Sequence, residues 1–278
     1  MSTQQARRDV AAPVIEHPFP RILCAVEKGP SADEAIAQAL TLAGGDGELT
    51  FLNVTDARRL GPTRLTTLGP AAVEDPFDRA RQAARAAGVE AEEVIRHGDD
   101  PRAVILEEAE RFDLVVLGAH GRHRTGFLLG STALGVVHRS PVPVLIARPV
   151  RAGTEFPRDI LVATNGAPEM GPTIVLAGTL ARRHGARVAL LHVDRSDGAE
   201  RELAEEAAAL QHATGAEPTI LRMEGHAPSR IAEVALELPA SLVITGSRML
   251  TGIRTLASVS ERTAVVAPCS VLVMRGRG

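Results

Sequence analysis

The chain of 278 residues contains an internal repeat, and this repeat restricts the possible folds more than any other feature. Four sequence blocks of the first half recur in the same order in the second half. The pairs are 20–44 with 158–182, 48–56 with 187–195, 96–122 with 223–249, and 138–149 with 265–276. Self-similarity at such a period indicates a duplicated structural unit. We therefore predict two domains, at 20–150 and 157–278, preceded by a flexible N-terminal lead-in at 1–19.

Each copy alternates short apolar runs with amphipathic stretches. The continuous apolar run "DLVVLG" at 113–118 suits a strand buried on both faces of a parallel sheet. In the first copy we predict strands near 21–27, 48–54, 91–96, 113–118 and 143–148, and helices near 31–43, 77–88, 101–111 and 131–139. Such alternation implies right-handed crossovers. The sequence thus predicts an α/β fold, with two tandem doubly wound, Rossmann-like domains that each contain a five-stranded parallel sheet.

The composition excludes several classes of function. A hydrophobic content of 45% and a net charge of −3 are ordinary for a globular protein and give no electrostatic reason to bind nucleic acid. With 2% aromatic residues and no Trp or Tyr, the chain also lacks stacking platforms for bases. No apolar run is long enough to span a bilayer, and 1–20 lacks the apolar core of a signal peptide. We predict no nucleic-acid or membrane partner.

The two cysteines, Cys24 and Cys269, each lie in or beside an apolar run and form no CxxC pair. We interpret them as buried free thiols, which persist in a reducing compartment. The predicted location is therefore cytoplasmic.

A glycine-rich segment, "LGAHGRHRTGFLLGST" at 117–132, follows the fourth predicted strand. In an open parallel sheet, ligands bind at the carboxyl ends of the strands, where the strand order reverses. Gly118 ends that strand, and Gly130, Ser131 and Thr132 open the next helix, whose N-terminal amides attract anions. Two interpretations remain open from spacing alone. The segment binds a phosphorylated ligand, or Ser131 caps a helix and the glycines form a loop.

The same residues resemble the nucleotide-binding pattern of the universal stress protein family. That pattern is glycine, two residues, glycine, about nine residues, then glycine followed by Ser or Thr. Here Gly118 and Gly121 are followed, after eight residues, by Gly130 and Ser131. The stretches "ILCAVEKGPSADEAI" and "VVHRSPVPVLIARP" resemble the opening strand and the closing helix and strand of the family. The resemblance covers nearly the whole chain as a tandem pair.

This resemblance implies a stress-response regulatory protein that binds ATP, with or without Mg²⁺, or a related adenine nucleotide in domain 1. Carried over by position, the expected contacts are Ala25 and Glu27 beside the nucleoside, Val54 at the adenine, Gly118 and Gly121 along the ribose and phosphates, and Gly130, Ser131 and Thr132 at the phosphates. We add Arg122 as a phosphate contact, the alternative being a solvated loop arginine. The family also implies that 143–148 and 270–275 pair as an intramolecular pseudo-dimer, and tandem members often form homodimers.

Domain 1 departs from the family pattern in two places. Glu27 replaces the usual Asp after the first strand, and the loop between the glycines is one residue short. The first copy also carries a Pro-, Gly- and Thr-rich loop at 57–76 that the second copy lacks. That loop is either a lid over the site or an insertion without a role.

Domain 2 departs further. Met249 replaces the second glycine, Ala257 replaces the glycine before Ser258, and Thr164 or Asn165 falls near the acidic position. We therefore predict a degenerate, empty second site. The alternative is a different ligand held by Arg248 and Ser258.

Two other functions remain possible on this scaffold. One is a slow ATPase or phosphotransferase, although no convincing general base is visible. The sequence contains neither a GxxxxGK[ST] motif nor a GxSxG elbow, and the histidine spacing suggests no metal centre. The other is an interaction scaffold that has lost nucleotide binding.

Overall fold

The computed structural model describes residues 17–27, 29–55, 75–119, 129–193, 200–246 and 258–275. Strands and helices alternate through both halves of the described chain. In the first half they are β1 Arg21–Ala25, α1 Pro30–Ala43, β2 Glu48–Thr55, α2 Asp78–Ala87, β3 Ala91–His97, α3 Pro101–Ala109, β4 Leu114–Gly118, α4 Ser131–Arg139 and β5 Val144–Ala147. In the second half they are β6 Asp159–Thr164, α5 Gly171–His184, β7 Arg187–Val193, α6 Glu200–Thr214, β8 Thr219–Met223, α7 Ala227–Glu237, β9 Leu242–Thr245, α8 Val259–Val266 and β10 Ser270–Val273. A 3₁₀ turn at Pro168–Met170 precedes α5.

All described strands join one ten-stranded sheet in the order β3-β2-β1-β4-β5-β10-β9-β6-β7-β8. Pairing is parallel within each half and antiparallel between β5 and β10, where Leu145 faces Leu272. The α/β fold with two five-stranded parallel sheets is confirmed, as is the pairing of the fifth strands. In each half the order reverses beside the first strand, so β1 with β4, and β6 with β9, mark the predicted binding edges.

The inner strands are largely buried because helices cover both faces of the sheet, whereas the edge strands β3 and β8 contain no buried residue. Successive strand residues point to opposite faces, and the core divides accordingly into two apolar clusters. Val116 and Leu145 belong to one cluster, whereas Val115 and Ile146 belong to the other. Both clusters continue across the β5–β10 pair into the second half. The two domains therefore share one continuous core on each face.

A buried polar network also crosses the junction between the domains. Gln38 on α1 is 1% exposed, and its side-chain amide donates a hydrogen bond to the carbonyl of Arg148 at 2.8 Å. The Ser270 hydroxyl donates to the Gln38 amide oxygen at 2.8 Å. Buried polar groups are tolerated when they are hydrogen-bonded, and here those bonds connect the two halves.

Cys24 and Cys269 are both free and buried, as predicted. Burial raises the pKa of the Cys24 thiol far above its usual range, and it raises the pKa of Cys269 to about 12. Within the described part of the chain, every helix is too short or too polar to cross a bilayer.

Candidate ligand site at the carboxyl ends of the strands

The centre of the candidate site in domain 1 is Ala25, the last residue of β1. In the sheet register Ala25 faces Leu52 on β2 and Leu117 on β4, so it lies at the point where the strand order reverses. Val54, two residues further along β2, is partly buried, and Glu27 is exposed just after β1. The structure thus brings four predicted positions, Ala25, Glu27, Val54 and Gly118, to one edge of the sheet.

The other predicted phosphate contacts form the start of α4. Gly130 is the N-cap residue, Ser131 is exposed and Thr132 is partly exposed. Among the described residues, no side chain caps this helix, and its first turn contains no acidic residue. Unpaired N-terminal amides and the positive end of the helix dipole favour an anion. In the described part of the chain, the start of α4 therefore has features that favour a phosphate group.

The two ends of the glycine-rich segment meet at this edge. The Gly130 amide donates to the Ala119 carbonyl at 2.8 Å, and the Ala119 amide donates to the Ala147 carbonyl on β5 at 3.1 Å. The start of α4 is thereby held beside the end of β4. Gly121 and Arg122 lie outside the described residues, and their roles stay predictions. Most of the loop at 57–76 also lies outside them, so both interpretations of that loop stay open.

Gly118 has a packing role that sequence reasoning missed. A Cβ atom there would lie 2.5 Å from the Ser31 carbonyl oxygen and 2.8 Å from its carbonyl carbon. Main chain cannot move away as cheaply as the tip of a side chain. The glycine is therefore required for β4 to pack against the first turn of α1, whatever ligand binds, and its contact with a ligand stays a prediction.

Domain 2 contains a cleft at the equivalent edge. Ala163, near the end of β6, faces Leu191 on β7 and Thr245 on β9. Ala25 has the equivalent position between β2 and β4 in domain 1. The cleft beside Ala163 has a volume of about 200 Å³. Met170 borders it, and a Cβ on Gly246 would lie 2.6 Å from the Met170 sulfur. Sequence reasoning missed Met170 and Thr245.

The start of α8 differs from that of α4, because α8 caps itself. The Ser258 hydroxyl accepts a hydrogen bond from the Glu261 amide at 3.3 Å, and Glu261 adds a carboxylate to the first turn. The Glu261 carboxylate also lies 3.1 Å from the His138 ring on α4. An occupied cap beside a negative charge disfavours a phosphate. The S-x-x-E spacing in "SVSE" at 258–261 is a sequence signal for such a capped helix start. Arg248, Met249 and Ala257 lie outside the described residues.

Comparison with known proteins agrees with this architecture. The model of the universal stress protein family matches residues 18–148 and 157–275. The chain therefore belongs to the universal stress protein family, as a tandem member.

Individual relatives either have low sequence identity to this chain or match only a short part of it. A crystal structure of a universal stress protein from Archaeoglobus fulgidus superimposes with a TM-score of 0.71 at 21% identity, covering 95% of this chain and 98% of that one. Universal stress protein A homolog 2 from Coxiella burnetii is 24% identical over 139 residues, which is 47% of this chain and 95% of that protein. A universal stress protein from Mycolicibacterium smegmatis is 46% identical over 50 residues. That match spans only 18% of this chain and 17% of the relative.

Proposed function

We propose that domain 1 binds ATP or a related adenine nucleotide, and that the chain acts as a regulatory protein of the stress response. The observation that carries this proposal is the uncapped start of α4, held beside the switch point of a parallel sheet by the bond between Gly130 and Ala119. Family membership supports the regulatory role. Two buried free thiols support a cytoplasmic location, because such thiols persist in reducing compartments.

Each residue has a defined part in this proposal. Gly130, Ser131 and Thr132 offer amides and hydroxyls to the phosphates, while Ala25 and Val54 provide an apolar surface for the adenine. Glu27 is the exposed carboxylate at the same edge. Among the described residues, no group of three or more His, Cys, Asp or Glu side chains could hold a metal by itself. A Mg²⁺ ion would therefore be held mainly by the nucleotide's phosphates and by water.

The test changes Gly130, the N-cap residue of α4, which has no side chain to cap the helix. Aspartate is a favourable N-cap residue, so Gly130→Asp should keep or slightly raise the stability of α4. Its carboxylate would occupy the first-turn amides and repel a phosphate. We expect the affinity for ATP, measured by calorimetry, to fall at least tenfold while the melting temperature stays the same or rises. Gly45→Asp, in a turn with open space around the glycine, is the matched control.

The competing functions give different results. Unchanged ATP affinity in Gly130→Asp would show that α4 does not hold the phosphates. No ATP binding by the wild-type chain would favour the scaffold interpretation, and phosphate release clearly above background with Mg-ATP would favour an enzyme.

A further inference from the structure

The loop that follows β6 contains the dipeptide Asn165–Gly166. Asn165 is exposed, and Gly166 has a φ of 69°. An asparagine before a glycine is chemically labile, because the glycine has no Cβ to keep its amide nitrogen away from the asparagine side-chain carbonyl. The chain's other asparagine, Asn53, precedes the β-branched Val54. The two asparagines therefore differ in how closely the following main chain can approach the side chain.

The Asn165 side chain is turned toward the main chain that follows it. Its Oδ1 accepts a hydrogen bond from the Ala167 amide at 3.1 Å, which closes an Asx turn over the peptide bond between Asn165 and Gly166. A main-chain N–H at that oxygen also stabilises negative charge that develops on it during nucleophilic attack. The side-chain carbonyl carbon is thereby activated on the side of the Gly166 nitrogen.

Two hydrogen bonds in series connect the Gly166 nitrogen to a carboxylate. The Gly166 amide donates to the Thr164 hydroxyl at 3.0 Å, and that hydroxyl donates to Glu206 Oε1 at 2.8 Å. Thr164 is buried, so these bonds are shielded from water. A hydroxyl that accepts from one group and donates to another can pass a proton between them. Gly166, Thr164 and Glu206 are thus arranged as a proton relay.

Glu206 is suited to accept the proton at the end of this relay. Its other oxygen, Oε2, is buried and has no hydrogen bond among the described residues. Burial raises the pKa of this carboxyl, the hydrogen bond from Thr164 opposes the shift, and Glu202 adds to it. A carboxylate that is poorly solvated is a stronger base. In domain 1 the position of Thr164 is taken by Val26, which has no hydroxyl to pass a proton.

We propose that Asn165–Gly166 is a self-modification site, at which Asn165 loses its side-chain amide and becomes aspartate or isoaspartate. The Gly166 nitrogen passes its proton through Thr164 to Glu206. It then attacks Cγ of Asn165. A bond forms between that nitrogen and Cγ, the Cγ–Nδ2 bond breaks, and Nδ2 takes the proton back from the relay and leaves as ammonia. One water molecule opens the resulting succinimide ring. Attack of water at Cγ gives aspartate, and attack at the main-chain carbonyl carbon gives isoaspartate.

The product changes the charge at the opening of domain 2, where Asn165 borders the cleft. In the sheet register Ala163 is equivalent to Ala25, so Asn165 has the position that Glu27 has in domain 1. Deamidation therefore places a carboxylate where domain 1 already has one. Because ammonia is lost, the change is irreversible and accumulates with the age of the chain. This chemistry is independent of nucleotide binding in domain 1.

The experiment incubates the full chain at neutral pH and follows the conversion of Asn165 to the acid by mass spectrometry of its peptides. A synthetic peptide with the sequence of residues 161–169 measures the same reaction without the fold. We expect Asn165 to convert at least fivefold faster in the folded chain than in the peptide. Asn53 is the internal control and should stay an amide, because it precedes Val54 and its side chain donates to the Val26 carbonyl at 2.9 Å.

Three variants test the relay. Thr164→Val removes the hydroxyl, whereas Glu206→Gln keeps an oxygen that accepts from Thr164 but removes the base. Each should slow the conversion of Asn165 at least fivefold, and Thr164→Ser should restore the wild-type rate. The melting temperature of Glu206→Gln should be at or above that of the wild type. A slower conversion in that variant then reports the loss of the base and not a loosened fold.

Three results would overturn the inference. These are an Asn165 that stays as intact as Asn53, a rate in the folded chain at or below that of the peptide, or an unchanged rate in Glu206→Gln. Should Thr164→Val fail to fold, the comparison between Glu206→Gln and wild type decides alone.

Discussion

Arg148, just after β5 in domain 1, donates a hydrogen bond from Nη2 to the Ala264 carbonyl on α8 of domain 2 at 2.6 Å. The same nitrogen lies 3.4 Å from the Val265 carbonyl. The guanidinium is buried, which lowers its pKa, but it sits at the negative end of a helix dipole. A side chain of one domain therefore completes the helix end of the other.

Replacing this arginine should weaken the junction between the domains. Arg148→Met leaves the last carbonyls of α8 without their donor, and hydrogen bonds to charged groups contribute about 1.5–3 kcal/mol each. We expect the free energy of unfolding in urea to fall by about 2 kcal/mol. Arg139→Met, at an exposed position on α4, is the control and should change it by less than ~0.5 kcal/mol. Equal effects of the two changes would show that the contact with α8 is dispensable.

Three glycine substitutions should differ in a defined order. Gly118→Ala places a Cβ against the Ser31 main chain and should cost about 1–3 kcal/mol, as overpacking does. Gly246→Ala meets the flexible tip of Met170 and should cost less. Gly45→Ala meets nothing within 4 Å and should be nearly neutral. Thermal unfolding checks the order, and a neutral Gly118→Ala would refute the packing role.

The thiols should be inert in the native protein. Burial raises the pKa of both cysteines, and Cys24 is 0% exposed whereas Cys269 is 7% exposed. Because the thiolate is the reactive form, a disulfide reagent at pH 8 should label the thiols only as the protein opens, with Cys269 reacting before Cys24. Fast native labelling of Cys24 would contradict the buried position of β1.

Glu206 on α6 should make stability depend on pH. Burial raises the pKa of this carboxyl, while a hydrogen bond from Thr164 at 2.8 Å opposes the shift. As the pH rises above ~4.3, the unfolded chain loses this proton before the folded one does, so stability falls until the pH passes the folded pKa.

Glu206→Gln should remove that pH dependence and raise the melting temperature at pH 7. Urea titrations at several pH values between 4 and 7 measure both effects. Glu237→Gln, at an exposed position on α7, should leave the pH profile unchanged. A wild-type profile in Glu206→Gln would assign the dependence to other groups.

The sequence predicts the fold well because periodicity and duplication are properties of the chain alone. The run at 113–118 indicates a doubly buried strand, and the structure places β4 at Leu114–Gly118. The role of Gly118 could not be predicted in this way, because it depends on Ser31, which is distant along the chain. The cleft in domain 2 could not be predicted for the same reason. Thr245 and Leu117 are seen to be equivalent only in the sheet register, where each of them faces an alanine on the neighbouring strand.

The antiparallel seam between β5 and β10 has a directional consequence. Because the strands of the two halves run in opposite directions, their carboxyl ends point to opposite rims of the sheet. β1 and β6 are five strand spacings apart, roughly 24 Å at ~4.8 Å per spacing. The two openings thus face away from each other. A molecule that contacts one rim of the sheet therefore reaches the opening of one domain only.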